Sequence, residues 1–72
     1  MVTRPGIYHV EAGAGPRSTD LMVEYTTKRE ALAMASSTVR QMGPDSWASV
    51  WAGTDFLHAP IARWRCGRRV VI

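Results

Sequence analysis

The sequence predicts a two-layer α+β fold in which one helix packs on one face of an antiparallel sheet, in the order β-β-α-β-β. Three observations support this class. Three segments alternate apolar and polar residues with the period of two that half-buried strands show, and a fourth, residues 45–53, is rich in strand-forming types. One segment, residues 28–42, has helical spacing between a capping signal and a glycine-proline stop. The chain has 72 residues, so we expect residues 1–72 to form a single small domain with a thin core.

Two strands are predicted before the helix. In GIYHVEA, residues 6–12, Tyr8 and Val10 share one face, and His9 lies on the other, where we expect it to be exposed. DLMVEYTT, residues 20–27, alternates in the same way. The connector between them is rich in glycine and polar residues, and it matches no phosphate-binding loop. Two such runs joined by a short connector predict an antiparallel hairpin.

The helix is the most strongly indicated element. Thr27 is followed three residues later by Glu30, a spacing that lets each side chain bind the other's free backbone N–H. Gly43 suits the left-handed position that ends helices, and Pro44 prevents continuation. The apolar stripe expected to face the sheet comprises Leu32, Ala35, Val39 and Met42, flanked by Ala31 and Thr38.

The chain after the helix is predicted to return to the sheet. DSWASVWAG, residues 45–53, is rich in strand-forming types, residues 54–60 form a loop, and IARWR, residues 61–65, is the next strand. Cys66-Gly67 then forms either a bulge or a tight turn into RRVVI. The sheet has four strands in the first case and five in the second.

The third strand raises a question about its two faces. Trp47 and Trp51 share one side of it, and Ala48 and Val50 share the other. Either the small residues meet the helix and the tryptophans lie on the open face, or the tryptophans form the core. The first orientation would place an aromatic patch on the surface, which is typical of an interaction site or a dimer interface.

The C-terminal segment concentrates positive charge. The chain has a net charge of +3, and eight of its nine basic residues are arginines. The last twelve residues contain Arg63, Arg65, Arg68 and Arg69 without an acidic residue. Three interpretations compete: a charged edge strand that resists pairing, a contact for a protein, and a contact for nucleic acid. Coding in a GC-rich genome also raises arginine content, so the charge alone is weak evidence for nucleic acid.

The sequence argues against several other classes. The single cysteine, Cys66, cannot form an intramolecular disulfide, and His9, His58 and Cys66 lack the spacing of a metal site. Asp55 and His58 with Cys66 make a poor nucleophile set, so we expect no enzyme, no cofactor, no metal and no small-molecule substrate. No apolar run approaches the length of about 18 residues that a membrane span needs. The N-terminus does not resemble a signal peptide.

The order of the elements also carries a resemblance. The succession of two strands, the TTKREALAMASS helix, the WASVWAG strand and the IARWRCGR strand resembles small accessory proteins of actinobacteria and their phages, over residues 6–69. In those proteins a S/T-x-x-E-A-L/A helix start follows a strand that ends in an aromatic residue, and a terminal W/Y-R-x-G-R strand is frequent. The resemblance implies a small non-catalytic protein directed at a host protein. It assigns a role to no residue.

We therefore expect a non-enzymatic, cytoplasmic interaction module that binds a host protein or forms a homodimer through its sheet face. The residues predicted to bind the partner are Trp47, Trp51, Arg63, Trp64 and Arg65. The alternative is a small DNA- or RNA-binding protein. Its predicted contacts are Arg63, Arg65, Arg68 and Arg69.

Overall fold

The computed structural model describes residues 7–53 and 59–70. Within them, one helix lies on one face of a five-stranded antiparallel sheet, which confirms the predicted class and element order. The strands and the helix are, in chain order, β1 (Tyr8–Gly13), β2 (Leu21–Tyr25), α1 (Lys28–Met42), β3 (Trp47–Ala52), β4 (Ala62–Arg65) and β5 (Arg68–Val70). Most of the predicted loop 54–60 and the last two residues of RRVVI lie outside the described residues.

The order of strands across the sheet is β2-β1-β3-β4-β5. β1 pairs antiparallel with both β2 and β3, so these two neighbours run in the same direction with β1 between them. The helix connects β2 to β3 and therefore crosses over β1, and it packs chiefly on β1 and β3. β2 and β5 form the edges of the sheet. The helix therefore covers the centre of one face of the sheet, and it covers β2 and β4 less than β1 and β3.

Small side chains form the contact between helix and sheet. Val10 on β1 and Val50 on β3 are opposite each other and fully buried, and Ala31 and Ala35 of the helix are buried with them. Side chains this small let the helix approach the sheet closely. The buried stripe is centred slightly away from the predicted one. It comprises Ala31, Ala35, Thr38 and Val39, while Leu32 and Met42 are only half-buried at its border.

Both ends of the helix are capped by the residues predicted for them. The Thr27 hydroxyl accepts a hydrogen bond from the Glu30 N–H at 3.2 Å. At the other end the Gly43 N–H donates to the Val39 carbonyl at 3.2 Å, and Gly43 has a φ of 103°, a value that favours glycine. The hydroxyl of Ser46, which is fully buried, lies 2.9 Å from the Val39 oxygen and 2.6 Å from the Gly43 oxygen. These contacts join the end of α1 to the start of β3.

Cys66 and Gly67 form a tight turn rather than a bulge, so the fifth strand exists. Arg65 and Arg68 are directly opposite each other, and the two turn residues between them have φ values of 51° and 76°. Two consecutive positive φ values define a type I′ hairpin turn. The Gly67 N–H donates to the Ser46 carbonyl at 3.0 Å and ties the turn to the end of the helix. β5, which carries Arg68 and Arg69, is an edge strand, whereas β4 with Arg63 and Arg65 lies inside the sheet, so protection of an edge by charge can apply only to the first two arginines.

Candidate functional site

The structure resolves the question of the third strand's faces. Val50 lies in the core against the helix, so Trp47, Ser49 and Trp51 point to the opposite side of the sheet. We call this side, defined by those three residues and the side chains in register with them, the helix-free face. Among the described residues no helix covers it. The tryptophans of β3 therefore lie on the open face and do not form the core.

Four of the five residues predicted to bind a partner share the helix-free face. Arg63 is opposite Ser49 on the neighbouring strand, and Arg65 follows two positions later on the same side. Trp64 is the exception. It is opposite Ala48 on the helix-covered side, and it is 5% exposed. Successive side chains of a strand point to opposite faces of the sheet, so Trp64, between two arginines on the helix-free face, points toward the helix.

The arginines divide in the same way. Arg68 is opposite Arg65 and lies on the helix-free face, whereas Arg69 is opposite Trp64 on the other side. The Arg69 guanidinium carbon is 5.4 Å from the centroid of the Trp64 ring, which is the geometry of a cation–π contact. Three of the four arginines predicted for nucleic acid thus share a face. The fourth covers a core tryptophan.

A shallow concavity of about 440 Å³ lies on the helix-free face beside β3. Trp47 and Trp51 flank it, Ser49 lies between them, and Arg63 and Arg65 border it on the β4 side. Trp64 also borders it through its position between these two arginines. The concavity combines aromatic surface with guanidinium donors. Such a site suits a ligand that presents an apolar group next to a carboxylate or a phosphate.

The Trp47 ring is held in place by the loop between β1 and β2. Its indole N–H lies 2.9 Å from two carbonyl oxygens, those of Gly15 and Ser18. Gly13 is opposite Trp47, and a Cβ at that position would lie 1.8 Å from the Ser18 oxygen and 2.5 Å from the indole nitrogen. Trp47 is therefore a fixed wall of the concavity. Sequence reasoning missed this anchor, although a glycine at the end of β1 was a signal for it.

Trp51 packs beside a buried histidine. His9 is opposite Trp51, and the ring centroids lie 6.0 Å apart at an angle of 53°. The Nε2 atom of His9 is 3.3 Å from a carboxylate oxygen of Glu11. His9 is only 8% exposed, so the expectation that it is a solvated strand residue is wrong. The larger ring on the adjacent strand covers it.

The arginines of the helix-free face lack acidic partners in the described part of the chain. In that part of the chain a contact of ion-pair length joins His9 to Glu11, and no carboxylate lies within ion-pair distance of Arg63, Arg65 or Arg68. Arg65 and Arg68 are direct cross-strand neighbours. Like charges in this arrangement repel each other, and a bound anion would relieve the repulsion.

The charges of the helix-free face are separated by sign. Glu11 on β1 and Glu24 on β2 lie on one side of the β3 tryptophans. The three arginines of β4 and β5 lie on the other side. The face is therefore acidic toward one edge, aromatic in the middle and basic toward the other edge.

The described residues offer little other chemistry. Within 7–53 and 59–70, no three histidine, cysteine or acidic side chains are grouped as metal ligands would be. Cys66 is exposed in the β4–β5 turn, and its two predicted neighbours in a poor nucleophile set, Asp55 and His58, lie outside the described residues. In the same ranges no helix is long and apolar enough to cross a membrane.

Comparisons of this chain with models of protein families, with curated proteins and with solved structures found no match.

Proposed function

We propose that this protein is a non-enzymatic interaction module that binds a partner protein through the helix-free face. The observation that carries the proposal is the concavity between Trp47 and Trp51, bordered by Arg63 and Arg65, which have no acidic partner in the described chain. Tryptophan and arginine are the side chains most enriched among residues that dominate binding energy at protein interfaces. The partner supplies an acidic side chain close to an apolar one.

The rigidity of the concavity supports the same function. Trp47 is fixed by two carbonyl groups, and Trp51 is packed against His9. Side chains that are ordered before binding lose little conformational entropy when a partner arrives. Both rings present surface to solvent, since each residue is only half-buried. A small fixed site of this kind suits one or two side chains of a partner.

The resemblance to accessory proteins of actinobacteria and their phages supports a host protein as the partner. It is also the basis for proposing a phage-encoded or phage-derived origin and a cytoplasmic location. A reducing compartment agrees with an exposed, unpaired Cys66.

A random peptide library tests the proposal directly. We expect selection on the immobilised chain to enrich peptides that carry an acidic residue next to an aromatic or large aliphatic one. Isothermal titration calorimetry should then show affinity about tenfold or more weaker for Trp51→Ala and for Arg63→Ala, because each removes a group that borders the concavity. Arg29→Ala, an exposed arginine of the helix, is the matched control and should bind like the wild type.

Circular dichroism should show that the variants remain folded. The proposal is wrong if no peptide family is enriched, or if the enriched peptides bind Trp51→Ala, Arg63→Ala and the control with equal affinity.

A second candidate is a nucleic-acid-binding function, favoured by the shared face of Arg63, Arg65 and Arg68 beside an aromatic ring. Bases would stack on Trp51 while the arginines contact phosphates. Glu11 and Glu24 on the same face act against it, because they repel a phosphate backbone.

Fluorescence anisotropy with labelled single- and double-stranded oligonucleotides tests this candidate. Binding through phosphates must weaken steeply as salt is raised, with a log-log slope that falls by about 0.7–0.9 for each arginine removed. Replacing Arg69, which lies on the other side of the sheet, should change the slope less than replacing Arg63. Absent or salt-insensitive binding would eliminate this function.

A further inference from the structure

One row of side chains crosses the whole helix-free face. Glu11 is opposite Met22 on one side and Ser49 on the other, and Arg63 is opposite Ser49 and Val70. Read from β2 to β5, the row is apolar, acidic, small, basic and apolar. Its centre is on the middle strand of the sheet. The two halves match in apolar character and are opposite in charge.

This pattern is complementary to itself under one particular symmetry operation. A two-fold axis that runs along β3, between two such faces, exchanges the β1 side of one copy with the β4 side of the other. Glu11 then lies opposite Arg63 of the second copy, and Met22 lies opposite Val70. A two-fold axis perpendicular to the strands would instead bring Glu11 against Glu11. The charge pattern therefore selects the first axis.

We propose that the helix-free face binds a second copy of this chain, face to face, about a two-fold axis parallel to β3. The proposal rests on the proposed function and makes a second copy, in place of a host protein, the occupant of that face. Each interface contains two Glu11–Arg63 pairs, because symmetry repeats every contact.

The exposure of the side chains agrees with this partner. Met22 is 62% exposed, the largest value for a large apolar side chain among the described residues. It lies on an edge strand at the end of the row, where the second copy would place Val70 over it. The guanidinium group of Arg63, which lacks a carboxylate within its own described chain, would gain one. Burial of an apolar side chain and pairing of a charge would both favour association.

The size of the face sets the expected strength. Five strands about 4.8 Å apart and about five residues long make a face of roughly 20 by 16 Å. Two such faces together span roughly 640 Å² in projection, below the about 1,000 Å² that a stable specific interface buries. We therefore expect a reversible dimer that dissociates on dilution. Trp47 and Trp51 lie on the proposed axis. Each ring would therefore contact the same residue of the second copy if the two sheets pack about 10 Å apart.

Charge exchange tests the pairing. Sedimentation equilibrium over a wide range of concentration should show a monomer–dimer equilibrium for the wild-type chain. Arg63→Glu and Glu11→Arg should each raise the dissociation constant on the order of a hundredfold, because each variant faces like charge at two symmetric contacts. An equimolar mixture of the two variants should dimerise again. In the mixed dimer every contact at positions 11 and 63 joins opposite charges.

The mixture guards against misfolding, since a damaged chain would not regain association by meeting another damaged chain. The double variant Glu11→Arg with Arg63→Glu should also dimerise by itself. Arg29→Glu, on the exposed side of the helix, is the matched control and should leave the dissociation constant unchanged.

The outcomes separate this inference from the proposed function. A wild-type chain that stays monomeric at every concentration overturns the dimer, and peptide binding that still depends on Trp51 would leave the interaction module intact. A dimer that neither charge reversal weakens is also against the inference, because it must use another surface. Failure of the mixture to associate, while both single variants remain folded, overturns the proposed axis.

Discussion

At the scale of single residues, Trp47 shows how one side chain serves both fold and surface. Its residue type and its place on the open side of β3 were grounds to predict a partner contact. The structure adds that its indole N–H lies at hydrogen-bond distance from the carbonyls of Gly15 and Ser18. Without the indole the Ser18 carbonyl would lose this donor, while the Gly15 carbonyl would keep its contacts with the Ser18 N–H and hydroxyl, so the loss costs about 1 kcal/mol. Replacing Trp47 would therefore disturb the β1–β2 loop as well as the concavity.

The glycines of this loop provide a sharp test of the anchor. Gly13→Ala should lower the free energy of unfolding by about 1–3 kcal/mol, because its new Cβ would overlap the Ser18 carbonyl and the Trp47 indole. Gly15→Ala is the matched control, since its Cβ would come no closer than 3.9 Å to the Ser18 hydroxyl, and its effect should stay within about 0.5 kcal/mol. Urea denaturation measures both. Equal stability of the two variants would contradict the anchor.

At the scale of elements, the β4–β5 hairpin determines where the arginines point. Its two-residue turn places Arg65 beside Arg68 and sends Trp64 and Arg69 to the other side together. The alternation of IARWR already predicted that Trp64 opposes its neighbours. Only the register of the hairpin showed which arginine of the second strand joins Arg65. A bulge at the turn would have shifted the register by one residue and placed Arg69, instead of Arg68, on the same face as Arg65.

The turn itself carries a residue that is poorly suited to it. Cys66 has a φ of 51°, whereas asparagine followed by glycine is the preferred pair in a type I′ turn. Cys66→Asn should therefore raise the free energy of unfolding by about 0.3–1 kcal/mol, and Cys66→Val should lower it, because a β-branched side chain is strained at positive φ. Thermal unfolding of the three chains measures the order. An asparagine variant less stable than the valine variant would contradict the assigned turn.

At the scale of the whole molecule, one helix cannot cover both sides of a five-stranded sheet. The chain has a radius of gyration of 11.4 Å, and its fully buried core side chains are mainly valine and alanine. A chain of this size buries only about 60% of the surface that its unfolded form exposes. A second copy on the helix-free face would add buried area without lengthening the chain. The proposed dimer would therefore add stability as well as provide an interaction.

Periodicity and capping chemistry determined the elements of this protein. A period of two, a Thr27–Glu30 cap and a Gly43-Pro44 stop depend on residues close together in the chain, and local sequence reports such interactions directly. The two faces of β3 were also separable from the sequence, since alternation alone puts Trp47 and Trp51 together. Alternation does not show which of the two faces of β3 meets the helix.

Only the tertiary structure determined which face of β3 meets the helix, the order of the strands and the burial of His9. Each depends on contacts between residues far apart in the chain: Val50 against the helix, β1 between β2 and β3, and Trp51 over the imidazole. The row from Met22 to Val70 likewise exists only once five strands are in register. Its five residues come from five separate strands. Local sequence specifies side-chain direction along a strand, and only the packed sheet specifies which side chains become neighbours.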